Sequence, residues 1–521
     1  MAGDIAITSS ITGVFYAIVV AILYRTYRKQ RDFSDYAVGG RAFGPWYICM
    51  SYLNSWFPGT VWIAFLGLGV ASGVVGLYAL SYSLIGVATM YFMAKRAWNW
   101  GHQFNLRTQP DMLGLRYGSK TTKVVASSIG VICLLPWMIL SMQALGVLFE
   151  YMTYNELGVT AALLVGVAVI VIRQYWTVRM GMRGLVITDM FQGIIAYIVC
   201  AVLCVFLLSL YFHGFTTIRQ LNETMFTFPG DGGIYGIWYF PSIIFTGIVG
   251  SLSWPTSYQR IYTANGVRNV KLGALLTMPL MLVFYGLLIL VGMAGATMAD
   301  VAKNPQSAWF IIMKHAGGAW LLGLGIVIVF AASMGWLDGC IQVCGTQVAN
   351  DIVGSYRNMT DSQLIKLAKA SMVVFLLVGA VLAYATFHYD KLVNLAIMSY
   401  QGIVQLAVPM FGGLFWRRAT REGALVGMVA GFIFAVLLTA FYPDHVPWLG
   451  GATAGIPALA LNLLLFILVP LVRPQSAQER ARVNQLFRRG RYTIQRQVAP
   501  PARPVQPHVR PEGGSVIPSE S

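Results

Sequence analysis

Again and again along this chain, an apolar run of about 20 residues, the length a helix needs to cross bilayer hydrocarbon, is followed by a short polar connection. Thirteen such runs fall at about 6–24, 45–71, 74–94, 124–148, 157–175, 184–211, 236–256, 272–297, 319–349, 366–386, 391–416, 423–441 and 450–472. With 57% hydrophobic and 11% charged residues, a water-soluble multidomain protein is excluded. The pattern predicts an all-α polytopic membrane protein of about 13 transmembrane helices. Asp4 opens the first run and no basic segment precedes it, so it reads as a retained span rather than a cleaved signal.

The basic residues set the expected orientation. With the N-terminus outside, 32 of the 36 lysines and arginines fall in inner segments, leaving only Arg219, Lys303, Lys314 and Lys391 outside. One missed helix would invert every later loop, so the bias supports the span count and a cytoplasmic C-terminus in a cell membrane. The net charge of +17 lies in these clusters and in the tail, and no nucleic-acid partner is expected. Residues 1–473 form the transmembrane domain; residues 474–521 form a basic, largely disordered tail. The first part of the tail, Q-E-R-A-R-V-N-Q-L-F-R-R-G-R, has the pattern of an amphipathic helix on the anionic inner leaflet. All six cysteines lie in apolar runs without a nearby ligand histidine, as packing residues do, so no transition-metal site is expected.

Two of the runs are interrupted. Residues 54–61, N-S-W-F-P-G-T-V, and residues 246–256, T-G-I-V-G-S-L-S-W-P-T, place Gly, Pro and hydrogen-bonding side chains inside apolar stretches five spans apart. In hydrocarbon each backbone group freed by such a break costs several kcal/mol unless it is answered, so a broken span lines a cavity or a site. A matched pair of breaks points to an inverted-repeat transporter with its solute held between them. Intramembrane carboxylates are few. Asp338 lies deep in the ninth run with Gln342 and Thr346 on its face, at a cost that turns that face inward. Asp189 begins the sixth run, and a helix-start carboxylate after a capping Thr188 accounts for it as well as a functional role does.

Taken in order, several motifs resemble those of the sodium:solute symporter family. D-Y-A-V-G-G-R-A-F-G (35–44) is similar to the family's glycine-rich entry loop, and F-L-G-L-G-V-A-S-G (65–73) to the end of its first broken helix. L-R-T-Q-P-D-M-L-G-L-R-Y-G (106–118), T-D-M-F-Q-G (188–193) and S-W-P-T-S-Y-Q-R-I-Y-T-A (253–264) follow, the last closest to the proline and pantothenate branch. G-G-L-F-W-R-R-A-T-R-E-G-A-L-V-G-M-V-A-G (412–431) is the most specific. The resemblance implies the LeuT-type fold, with a core at about 45–416 of two inverted five-helix repeats (spans 2–6 and 7–11), one helix before it and two after.

The resemblance also implies a function: import of a small polar organic solute, an amino acid or a monocarboxylate-like molecule, by cation symport with Na+ as the expected coupling ion. The family's sodium lies between break carbonyls, which map onto Asn54 and Phe57, and two adjacent hydroxyl residues on the eighth core helix. Here the usual A-A-x-M-S-T-L-D-S reads A-A-S-M-G-W-L-D-G, with Gly335 and Trp336 in place of the hydroxyls. Neither offers an acceptor oxygen, an indole being only a donor. Three readings stay open: sodium held elsewhere, for instance between Asp338 and Asp189; a proton carried by Asp338; or lost coupling, which leaves a facilitator or nutrient sensor. For the solute, the candidates around the breaks are Asn54, Trp56, Thr60, Tyr78, Tyr82, Ser251, Ser253, Trp254, Tyr400 and Gln401. No nucleophile–base set or phosphate-cradling loop lies in a span, so an enzyme is not expected. The expected partners are the solute and the lipid bilayer, and a monomer suffices.

Overall fold

The computed structural model describes residues 1–27, 30–228, 235–387 and 392–489; the expected disorder of the tail from 490 onward lies outside them. Ten helices among the described residues are long and apolar enough to cross a membrane. Helix is what apolar sequence must form there, because lipid offers no partner to a backbone N–H or C=O. The intact helices include α1 (Ala2–Thr26), and the runs expected at 45–71, 236–256 and 391–416 are divided. The first becomes α2 (Pro45–Trp56), a 3-10 turn (Gly59–Trp62) and α3 (Ala64–Ser72). After it come α4 (Tyr78–Gln103), α5 (Gln109–Tyr117), α6 (Lys120–Met152), α7 (Val159–Met180) and α8 (Met182–Tyr211). The second divided run is α9 (Tyr239–Ser253) and α10 (Pro255–Thr263). Then follow α11 (Val267–Gly295), α12 (Ala308–Gln347) and α13 (Asp361–Ala385). The third divided run is α14 (Leu392–Ile403) and α15 (Ala407–Phe415), before α16 (Arg421–Phe441), α17 (Gly455–Val472) and α18 (Ala477–Arg489). Helix length alone therefore gives ten crossings; thirteen is reached only when each divided run is taken as one.

The breaks follow from local chemistry. Phe57 and Pro58 are extended, and Pro58 has no N–H to continue the ladder; its carbonyl accepts instead from Val61 N at 3.0 Å. Trp254, ahead of Pro255, takes the extended conformation that a residue before proline prefers. Its carbonyl then accepts from Tyr258 N at 3.1 Å and starts α10. Around these breaks, α2 packs on α8, α10, α11 and α12. The apolar window of α12 is 83% buried, which makes it the central helix of the fold.

Two arginines of the motif loops tie helix ends together. Gly39, Gly40 and Arg41 all have positive φ, and the turn aims the Arg41 guanidinium at the carbonyls of Tyr262, Gly101 and Leu106 at 2.8–3.1 Å. Phe43 and Ala264 form a short parallel bridge beside it. Arg116, fully buried, donates to Gly413 O, Trp416 O and Ala419 O at 2.9–3.2 Å and so closes the C-terminal end of α15. Orphan carbonyls at helix ends need such partners once water is excluded.

Three sequence expectations change. Arg173 and Arg260, taken as inner-loop charges, lie inside α7 and α10 and are fully buried; the orientation bias rests on the remaining basic residues. Asp189 does not begin a helix. α8 starts at Met182, and the Thr188 hydroxyl bonds back to Gly184 O and Leu185 O, so the capping explanation fails. The Arg-rich segment after 474 is indeed helical, but α18 turns its apolar side to the protein. Val483, Leu486 and Phe487 are buried, and Phe487 sits against Trp100 (5.5 Å between centroids) with the guanidiniums of Arg96, Arg116 and Arg417 at 5.2–5.7 Å. Arg482 donates to Leu115 O at 2.6 Å. Removing the central aromatic should detach the helix. Phe487→Ala is expected to raise amide exchange across 477–489 to that of an unprotected peptide, with exchange in α12 unchanged; protection retained in 477–489 would refute this docking.

Candidate functional site

The two breaks face one cavity. It is lined by Trp56, Phe57, Pro58, Val61 and Phe65 from the first, Trp254 from the second, and Ala79, Tyr82, Trp137, Tyr285, Trp336 and Tyr400 from neighbouring helices. Room for the centres of water-sized molecules is ≈ 50 Å³, enough for a small solute but not a large one. One wall is a continuous aromatic row. Trp56–Tyr82, Tyr82–Tyr400, Tyr400–Trp254 and Trp254–Trp137 have ring centroids 6.2, 6.3, 5.6 and 6.4 Å apart. Trp56 is fixed by its Nε1–H donating to Ser83 Oγ at 2.7 Å.

Of the ten residues expected at the solute site, Trp56, Tyr82, Trp254 and Tyr400 line this cavity. Tyr78 stands behind, its ring 6.0 Å from Tyr82 and 5.6 Å from Phe240. Ser251 is used locally: its hydroxyl donates to Ile248 O, and α4 approaches it at Gly86. The Ser253 hydroxyl is buried without a partner, as is Thr60 Oγ1, and neither residue is in the lining. Gln401 is turned toward Gly455, where a Cβ would lie 1.9 Å from its Oε1. Asn54 points away into a polar cluster beside the break.

That cluster is built on Asp189, which accepts from Ser51 Oγ at 2.5 Å and Asn54 Nδ2 at 3.0 Å. Arg260 Nη2 lies 3.5 Å from the same carboxylate, and Arg260 Nε donates to Ser51 Oγ at 2.9 Å. All four side chains are fully or almost fully shielded from solvent. Asn54 Oδ1 is buried with no partner among the described residues. Asp338 sits in a separate clamp supplied by one helix, α7. Arg173 pairs with its Oδ1, Gln174 Nε2 donates at 2.6 Å and Thr177 Oγ1 at 3.2 Å. The structure thus joins Asn54 to Asp189 but gives Asp189 and Asp338 no shared hydrogen-bond partner; each faces an arginine of its own.

At the position expected for sodium, the Phe57 carbonyl accepts from the Tyr197 hydroxyl at 3.3 Å. Gly335 lies against Asn54, and a Cβ placed there would come within 2.8 Å of Asn54 Cγ; Trp336 turns into the cavity. The glycine is therefore a packing requirement of this chain. Gly335→Ser, which restores the family's hydroxyl, is expected to destabilise the protein by about 1–3 kcal/mol through overpacking. Thermal unfolding in detergent checks it, and an unchanged or raised midpoint would refute the close approach.

Several lining residues were not anticipated from sequence: Pro58, Val61, Phe65, Ala79, Trp137, Tyr285 and Trp336, together with the ring of Phe57. Trp137 follows Pro136, a proline inside α6, and that neighbour was the one local signal beside it in the sequence. Trp336 was visible only as a departure from a motif. The buried arginines carried a signal too, since Arg173 in V-I-R-Q-Y-W-T has apolar sequence on both sides.

Known proteins share this architecture. The model of the sodium:solute symporter family matches residues 36–431. A monocarboxylate transport permease protein of Rhizobium johnstonii is 22% identical over 506 residues, covering 92% of this chain and 100% of its own. The high-affinity proline transporter PutP of Bacillus subtilis is 23% identical over 430 residues, covering 79% and 88%. Among solved structures, a substrate-bound, outward-open Na+-coupled sialic acid symporter superposes with a TM-score of 0.76 at 15% identity, covering 90% of this chain and 98% of that one. At that identity the likeness establishes the LeuT-type fold.

Proposed function

Because the chain belongs to the sodium:solute symporter family, whose members are secondary transporters, we propose that it imports a small polar or zwitterionic organic solute through the plasma membrane, by symport with sodium at an atypical ion site. The observation that carries this reading is the aromatic cavity between two broken helices, with a buried carboxylate, Asp189, bonded to Asn54 at the first break. Broken helices meeting at mid-membrane are where transporters of this construction bind their cargo. We assign the solute to Trp56, Tyr82, Trp254 and Tyr400, with Trp336, Trp137 and Phe57 completing the enclosure. The ion is assigned to Asp189 and the free oxygen of Asn54, in place of a cage spanning Asp189 and Asp338. The N-terminus is placed outside and the C-terminus inside, on the charge bias of the loops, with 1–473 as the transport domain.

A second reading, an uncoupled facilitator or sensor, is favoured by one specific feature. The Phe57 carbonyl already has a hydroxyl partner in Tyr197, and Gly335 and Trp336 bring no oxygen to meet an ion. Uptake of labelled solutes into proteoliposomes under imposed sodium or proton gradients separates the two. Sodium-driven accumulation supports symport, equilibration without accumulation supports a facilitator, and accumulation driven only by protons would overturn the sodium assignment.

A further inference from the structure

On the α10 side of the aromatic cavity, three helices meet at one point. Pro255, which follows the cavity residue Trp254 and opens α10, and the Gln347 side chain at the end of α12 both lie against Gly130 of α6. A Cβ placed on that glycine would be 2.9 Å from Pro255 Cγ and 3.2 Å from Gln347 Oε1. Gln347 is fully buried, and neither polar atom of its amide has a hydrogen-bond partner among the described residues. The hydroxyl of Ser127, one turn from Gly130 on the same face of α6, is buried and unpartnered too. So is Oε1 of Gln109 in α5, whose Nε2 reaches the Leu252 carbonyl just ahead of the second break at 3.3 Å.

One turn further on, α5, α6 and the end of α12 carry a knot of charge. Lys123, a turn before Ser127, pairs with Asp111 at 2.5 Å and with Asp351 at 3.4 Å, and donates to Asn350 O at 3.0 Å. Thr108 Oγ1 donates to Asp351 at 2.9 Å, and Asn350 Nδ2 to Asp111 at 2.8 Å. These bonds fasten α5 and its N-cap Thr108 to α6 and to the turn (Val348–Val353) that continues α12, within a turn of Gln347. Beyond the knot, Asp111, Lys123 and Asn350 form part of the wall of a polar recess of ≈ 560 Å³. Its residues Arg357, Asn358 and Thr360 are exposed, on the face that the charge bias of the loops places in the cytoplasm.

A permanently packed interior answers its amides and hydroxyls, because one left buried without a partner costs more than a hydrogen bond contributes. Here the unanswered groups are contiguous, running from the cavity at Trp254 to the charged knot. They are neutral donors and acceptors that a polar solute and water can both use. Surfaces that part and take in water during a working cycle recover the cost then. Resting on the transport reading above, we propose that the seam of Gln109, Ser127 and Gln347 is the route by which the solute leaves toward the cytoplasm, shut in this structure, and that Lys123 with Asp111 and Asp351 is its gate.

The test uses the full-length protein with its six native cysteines, all buried, and adds Ser127→Cys. Inside-out membrane vesicles are treated with a membrane-impermeant maleimide, and labelling of each cysteine peptide is followed by mass spectrometry. Ser127→Cys alone should label slowly. Adding Lys123→Met should speed labelling at position 127 at least tenfold, and so should adding Asp111→Asn, which perturbs folding less; Lys123→Arg, which keeps the charge, should leave it slow. Cys133 lies on another face of α6, against Gly402, and should keep its parent rate throughout, since opening a gate does not unfold the helix. Equal rates at position 127 in parent and gate variants, acceleration of Cys133 alongside it, or labelling only from the outer face in right-side-out vesicles overturns the proposal. Gradient-driven uptake of labelled proline or labelled lactate by a protein whose position 127 stays protected in both gate variants overturns the route and leaves the transport reading standing. Gate-dependent labelling in a protein that takes up neither keeps the gated route and counts against the transport reading alone.

Discussion

Replacing Arg173 by methionine is expected to destabilise the folded protein by about 3–5 kcal/mol, because the substitution leaves the Asp338 carboxylate buried without its cation. Both side chains are fully shielded, and Asp338 Oδ1 takes three donors from α7. The partner helix is α12, the central one, so the clamp fixes α7 to the middle of the fold. Combining Arg173→Met with Asp338→Leu removes both charges and should recover most of the loss, as apolar replacements of buried ion pairs do. Thermal unfolding and size-exclusion profiles in detergent read both variants. A single variant as stable as the parent, or a double variant no better than the single, would show that the pair does not fasten these helices.

Asp189→Asn should act on transport more than on folding. The amide keeps the shape of the side chain and, with its single oxygen, can still accept from one of Ser51 and Asn54, which bond to different carboxylate oxygens, while it removes the charge beside Arg260 and beside the free oxygen of Asn54. Initial uptake at matched expression is expected to fall at least tenfold and to lose its dependence on sodium, whereas Asp338→Asn should lower protein yield and leave the sodium dependence of the surviving protein intact. Unaltered sodium dependence in Asp189→Asn would remove the ion assignment. This contrast follows from the two environments: one carboxylate adjoins the broken helix and an unanswered oxygen, the other is enclosed by a single intact helix.

The fold was legible in the sequence to an unusual depth. Runs of apolar residues leave the backbone no option but helix, and Pro58, Gly59 and Pro255 mark where the helices must stop. Trp56, Tyr82, Trp254 and Tyr400 were found because they lie at the breaks or on the faces next to them. Trp137 and Tyr285 were missed because they reach the cavity from α6 and α11, continuous helices that their interior prolines, Pro136 and Pro279, do not divide. Asn54 and Gln401 lie outside the lining of the cavity, because position along a helix says nothing of which way a side chain turns: Asn54 bonds to Asp189 and Gln401 faces Gly455.

By itself the sequence determined the membrane class, the positions of the two breaks and the membership of most loops in a recognisable order, all of which depend on residues close together along the chain. Only the tertiary structure decided the charges. Arg173 and Arg260 read as inner-loop residues until helix packing placed them opposite Asp338 and Asp189, across separations of 165 residues and 71 residues along the chain. It also decided where Gly335 and Trp336 sit, the first packed closely against Asn54 and the second in the wall of the cavity. Local sequence sets where a helix bends, but which buried charge meets which partner depends on how distant helices pack, and in low dielectric that pairing carries the energy.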